Sequence, residues 1–186
     1  MEGRDNPDYR WLHAVNLLLL LGLWAFTIIA YPRLPEQIPA HIGTSGVTRW
    51  TDRNSGFWFL LPILAVFEAA FMYVLSRLAD SGASGVNVPH KKRMLALPRE
   101  AQVFAMEPTR AFMYGMATWL LLLTGMIQVV LYQAAHTGGD TPDTWFMLAF
   151  TAFSLLPLAG VPWLNRAIGR RLDEWESRVP SQGQEA

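Results

Sequence analysis

Four long apolar segments divide the chain, and its polar residues collect between them. They run over about residues 12–30, 57–79, 111–134 and 145–165. Each is close to the roughly 20 residues that a helix rising about 1.5 Å per residue needs to cross a hydrocarbon core. The first holds no ionisable group except His13 at its edge, the second encloses Glu68 with Arg77 near its end, and the last two carry no charge. The pattern predicts an all-α, polytopic membrane four-helix bundle. Its organisation is a two-helix membrane unit at 12–80, a basic cytoplasmic loop at 81–110, a second two-helix unit at 111–165 and an amphipathic cytoplasmic tail at 166–186. In the tail, Ile168, Leu172, Trp175 and Val179 recur at the spacing of one helical face. That stripe predicts a helix that continues the fourth span and lies along the membrane as an interfacial anchor, ahead of a disordered end at 181–186. In the 81–110 loop, Lys91-Lys92-Arg93 follows a Gly/Ser-rich turn at 81–85, and Pro98 is placed to open a short helix through Ala101 to Met106. A basic, partly apolar segment of this kind suits anionic headgroups, and docking of a cytoplasmic regulator is the sharper alternative.

Composition strengthens the membrane assignment. Of the 186 residues, 52% are hydrophobic and only 16% charged, against about 25% charged in an ordinary soluble protein. Fifteen basic residues balance fifteen acidic ones, so the chain has no net field to concentrate nucleic acid, and that partner class is excluded. The lipid bilayer is the expected partner instead. The absence of cysteine removes disulfides, thiolate metal sites and a cysteine nucleophile. As a signal peptide the first segment fits poorly. Its leader mixes Arg4 and Arg10 with Glu2, Asp5 and Asp8, and Ile28 and Ala30 make a weak cleavage site. It is expected to remain as a helix.

The distribution of Lys and Arg sets the orientation. Two precede the first span, six lie in or beside the second loop and four in the tail, against three (Arg33, Arg49, Arg53) between the first two spans. The positive-inside rule then places both termini and the 81–110 loop in the cytoplasm of a plasma-membrane protein, with the first loop outside. Trp11, Trp50, Trp58, Trp145 and Trp163 fall near span ends, where an interfacial aromatic belt is expected.

The first loop differs from the rest of the chain. Pro32, Pro35 and Pro39 push the residues before them out of the helical region, which predicts a stiff, extended, Pro-rich structured external loop between helices 1 and 2. His41, Gly43, Gly46 and a polar run of Arg49, Thr51, Asp52, Arg53 and Asn54 follow. The stretch Leu34-Pro35-Glu36-Gln37-Ile38-Pro39-Ala40-His41, with Gly46 five residues on, resembles the motif of the bacterial membrane proteins grouped as domain of unknown function 1648. That domain also forms the amino-terminal part of the SdpI-like immunity proteins. The resemblance covers about residues 12–80, and Pro62 matches an early proline of the family's second span. Ile42 and Gly43 stand where the family has an aromatic residue and asparagine, and Arg53 where it has a closing lysine. By resemblance, the loop residues Pro35, Ile38, Pro39, His41, Gly46 and Arg53 carry an immunity or signalling role.

Inside the membrane, Glu68 is the residue with chemistry. A charged carboxylate at mid-span costs roughly 3 kcal/mol, so it needs a proton or a partner. Gln128 is the expected hydrogen-bonding partner, with Thr124 closer in depth. Outside, His41 is expected either to pin the loop against Glu36 or Asp52 or to act as a metal ligand or pH sensor, with His136 as a second nitrogen. Catalytic and phosphate-loop motifs are missing, no spaced ligand set points to a metal, and no cofactor is implied. The expected function is therefore non-enzymatic: recognition of an extracellular ligand or peptide at the outer face. The alternative is a small transporter or accessory subunit using Glu68 as an intramembrane proton or ligand site.

Overall fold

The structure, a computed structural model, describes residues 9–43, 46–84, 87–139 and 144–178. Glu2, Arg4, Asp5 and Asp8, the end of the 81–85 turn, Val179 and the 181–186 end lie outside the described residues. Among the described residues there are five α-helices: α1 (Arg10–Ala30), α2 (Leu60–Leu78), α3 (Lys91–Leu95), α4 (Arg99–His136) and α5 (Thr144–Arg178). All but α3 are long and apolar enough to cross a membrane. The chain is thus a multi-pass membrane protein whose apolar helices contact lipid. The helical class stands, with an addition that the pattern did not predict. Between α1 and α2 the chain forms an antiparallel pair, β1 (Gln37–Gly43) and β2 (Gly46–Asp52). The helix expected after Pro98 is also longer, continuing through 38 residues as α4.

Compactness divides the chain across its helices. One unit is Met1–Ala70 with Ala117–Leu155, and the other is Phe71–Met116 with Leu156–Ala186. In the first unit, Ala30 of α1 and Ala135 of α4 share a core with Ile38 of β1 and with Trp58. Lipid is as apolar as leucine, so close packing and interhelical hydrogen bonds, more than hydrophobic burial, hold such helices together. Leu23, Ala65 and Leu121 interlock α1, α2 and α4. Thr118 Oγ1 donates to Asn16 Oδ1 at 2.6 Å, tying α4 to α1.

Two prolines explain two further contacts. Pro62 and Pro157 lack the N–H that would bond the carbonyl four residues earlier, on Trp58 and Phe153. An orphaned carbonyl in hydrocarbon costs several kcal/mol. Gln128 Nε2 donates to the Trp58 oxygen at 3.0 Å, and Trp119 Nε1 to the Phe153 oxygen at 3.0 Å. Each freed acceptor takes a side-chain donor from α4.

The second unit corrects the expectation for the tail. Ile168 and Leu172 are fully buried, packed with Ala79, Ala83, Met94, Ala105 and Met106. These two positions of the stripe face protein, so here α5 is a core element rather than an interfacial anchor, while Trp175 is half-buried. The physical reason is that α3 and the start of α4 supply a complementary apolar surface, through Met94 and Met106, which the loop's basic composition masked. Arg93 likewise reaches carboxylates on α5, Asp173 at 2.7 Å and Glu176 at 2.6 Å. Arg171 pairs with the buried Glu107 at 2.5 Å. Gly160 lies so close to the Phe112 ring that a Cβ there would come within 2.6 Å of it.

Candidate functional site

The 31–56 segment leaves α1 through a short 3-10 turn, Tyr31–Arg33, with Pro32 near its start. Leu34 is extended (φ −68°, ψ 142°), as the residue before a proline must be. The chain does not stay extended as a ledge; it folds back as a hairpin. Gln37 pairs with Asp52, Ile38 with Thr51, Pro39 with Trp50 and Ile42 with Val47, with the register shifting on either side of His41. Pro39 has no N–H for the ladder, and an irregularity beside it is the usual outcome.

An isolated two-stranded hairpin is marginal, so this one depends on how it is seated. Leu34 and Ile38 (1% exposed) pack with Ala30, Trp58 and Ala135. Val47 N–H donates to the Gly139 carbonyl at 3.0 Å, just past the end of α4. Gly139 has φ +89°, and a Cβ there would lie 2.8 Å from the Trp50 ring, so glycine is required on both counts. Arg53 closes the base: its Nη1 donates to the Leu34 carbonyl at 2.8 Å, its backbone N–H to the Glu36 carbonyl at 2.8 Å, and its guanidinium lies 5.8 Å from the Tyr31 ring centre.

The six loop residues of the motif thus take different places. Ile38 and Pro39 are buried scaffold, Pro35 is half-buried, Gly46 turns the chain at φ 103°, and Arg53 is the staple. His41 is exposed, with Nδ1 2.7 Å from Thr48 Oγ1. Neither Glu36 nor Asp52 is its partner. Strand pairing sets His41 opposite Arg49 and beside Thr48, while Asp52 sits at the far end and accepts from the Asn54 N–H at 2.6 Å. His136 is also placed differently from the expectation of a second nitrogen beside His41. Its Nδ1 and Nε2 lie 2.8 and 3.0 Å from the carbonyls of Tyr132 and Arg33, so it seats the loop instead.

Beneath the hairpin lies a cavity of about 380 Å³. Ala40, His41 and Ile42 form one wall, and α2, α4 and α5 contribute Leu61, Ile127, Leu131 and Phe150 among others. Among the described residues, His41 is its one ionisable lining residue. Deeper in the same unit, Thr124 Oγ1 donates to Glu68 Oε2 at 3.3 Å. Thr124, not Gln128, is therefore the hydrogen-bond partner of Glu68, because the Gln128 amide is spent on the carbonyl that Pro62 leaves open. Its Oε1 is buried without a hydrogen bond.

Thr48, Trp58 and Gly139 are the site residues that the sequence reading missed. A glycine pair at 138–139 directly after a helix, and a tryptophan four residues before a proline, are the signals that mark the last two. No curated protein and no solved structure matches the chain. Residues 18–66, from α1 through the hairpin into α2, match the family model described as Domain of unknown function (DUF1648), the family whose loop motif this chain resembles.

Proposed function

We propose that this membrane protein is non-enzymatic and recognises a ligand or peptide at its outer face, through the hairpin built from the family motif. The observation that carries this is the pairing of a firmly seated hairpin with an apolar cavity that has His41 at its edge. Scaffold residues (Ile38, Pro39, Arg53) hold a shape, and His41 and Thr48 present polar atoms on it. The likeness to SdpI-like proteins supports an immunity or signalling role. The count of Lys and Arg supports a plasma-membrane orientation with both termini cytoplasmic and the hairpin outside.

The test is crosslinking in native membranes followed by capture, comparing the parent chain with His41→Ala and Pro39→Ala. A specific partner is expected from the parent and lost from both variants, with membrane insertion unchanged. An identical partner list in all three contradicts recognition by the hairpin. It favours the second reading, a small transporter or accessory subunit with Glu68 as its coupling acid, which draws support from the Glu68–Thr124 hydrogen bond.

A further inference from the structure

We propose that the cavity beneath the hairpin is a lipid site, holding one acyl chain of a bilayer phospholipid with the polar end of the lipid at His41. The proposal rests on the recognition reading for the choice of face and adds the chemistry that the face binds.

The walls select against other ligands. Ala40 and Ile42 from the hairpin, Leu61 from α2, Ile127 from α4 and Phe150 from α5 present no side-chain hydrogen-bonding group. A sugar, an ion or a peptide backbone entering the cavity itself would lose water and gain no partner from these side chains, at several kcal/mol for each polar group, so a partner from outside is left the exposed polar atoms of His41 and Thr48 on the hairpin. A hydrocarbon chain has no such groups to desolvate. The volume of about 380 Å³ falls in the range of small-molecule sites. At roughly 30 Å³ for a water-sized group it accommodates about a dozen methylenes.

Among the described lining residues, the polarity is confined to one end. His41 Nδ1 is engaged by Thr48, and Nε2, on the other side of the ring, is not used by that contact. A phospholipid ester or headgroup oxygen is the group that fits beside it.

An access route also points to lipid. A second apolar recess of about 600 Å³ lies between α1 and α4, over Gly22 and Gly125, where an added Cβ would meet nothing within 4 Å. It shares Val130 and Phe146 with the cavity. The two spaces are therefore adjacent, and the recess is formed by membrane-spanning helices. Of the chemistries that satisfy the walls, acyl chains are the one that the bilayer supplies in large excess, so mass action favours their occupancy.

The test uses nanodiscs of phosphatidylcholine carrying a diazirine in its acyl chain, with photolabelled residues mapped by mass spectrometry. Labelling is expected on Leu61, Ile127 and Phe150. Leu61→Trp, which fills the cavity, is expected to lose most labelling at Ile127 and Phe150. Labelling of the outward-facing Leu148 and Leu155 is expected to be unchanged. Ala40→Trp blocks the same space from the hairpin without altering a helix, and is expected to do the same. An unlabelled lining in the parent, or labelling that both variants leave unchanged, overturns the proposal. Because the nanodiscs contain no external partner, these outcomes are independent of whether the hairpin captures a ligand from outside.

Discussion

Trp58→Ala is expected to destabilise the protein by about 3–5 kcal/mol, the range for deleting a large buried aromatic side chain. Trp58 is 2% exposed and joins three parts of its unit. Its ring centre lies 6.4 Å from that of Phe26 on α1 and 6.3 Å from that of Tyr132 on α4. Its Nε1 donates to the Thr27 carbonyl at 2.9 Å, an oxygen that also accepts from the Tyr31 N–H. Alanine removes the ring that separates these helices and the base of the hairpin, and the surrounding backbone can close the space only partly. Trp58→Phe separates the contributions. It keeps most of the volume and loses the indole N–H, for which a membrane-buried hydrogen bond of about 0.6 kcal/mol is the guide. The Gln128 contact goes to the Trp58 backbone and survives both changes. Unfolding of the purified protein in one detergent at fixed concentration measures the difference. Both variants within about 0.5 kcal/mol of the parent would show that Trp58 is a surface residue.

Arg171→Ala is expected to cost about 3 kcal/mol, by a different mechanism. Glu107 is 8% exposed and its carboxylate is 2.5 Å from Arg171 Nη2. Removing one partner of a fully buried pair typically costs about 3–5 kcal/mol; here Glu107 is the buried partner, and the Arg171 side chain is 31% exposed. The lower end applies because Glu107 has further interactions. The Arg171 guanidinium also lies 4.6 Å from the Phe104 ring centre, adding a cation–π contact of roughly 0.5–1 kcal/mol. The double variant Glu107→Gln with Arg171→Met is expected to recover much of the loss, since it removes both charges. If this part of α5 were a peripheral anchor, Arg171→Ala would leave unfolding unchanged.

Both predictions concern places where the sequence pattern and the structure part. The four spans were legible because twenty apolar residues have few alternatives in a chain this size. Trp58, by contrast, lies at a span end like the belt tryptophans. Only tertiary contacts distinguish it from the exposed Trp11, Trp145 and Trp163. Periodicity marks one apolar face in the tail, but it does not say whether lipid or protein covers that face. Here Met94 and Met106 do.

The hairpin was hidden for a local reason. Prolines at 32, 35 and 39 argue for extended backbone and against a strand, and Pro39 interrupts the ladder it sits in. The partner strand is recognisable only once Gly46 and the Gly139 docking point are seen. At Glu68, depth along the helices favoured Thr124, as found. What redirected Gln128 was the missing N–H of Pro62, a feature of α2 that acts on α4.

Recognition at the outer face requires the hairpin to face outward, and the cysteine-free chain permits a direct measurement of this. Thr48→Cys and Ser177→Cys each introduce a lone thiol, at an exposed position of the hairpin and of the end of α5. Cells producing either variant are treated with a membrane-impermeant maleimide before and after permeabilisation. Thr48→Cys is expected to label in intact cells, and Ser177→Cys only once the membrane is opened. The reverse pattern, with Thr48→Cys protected in intact cells and Ser177→Cys accessible, contradicts an outward-facing recognition site.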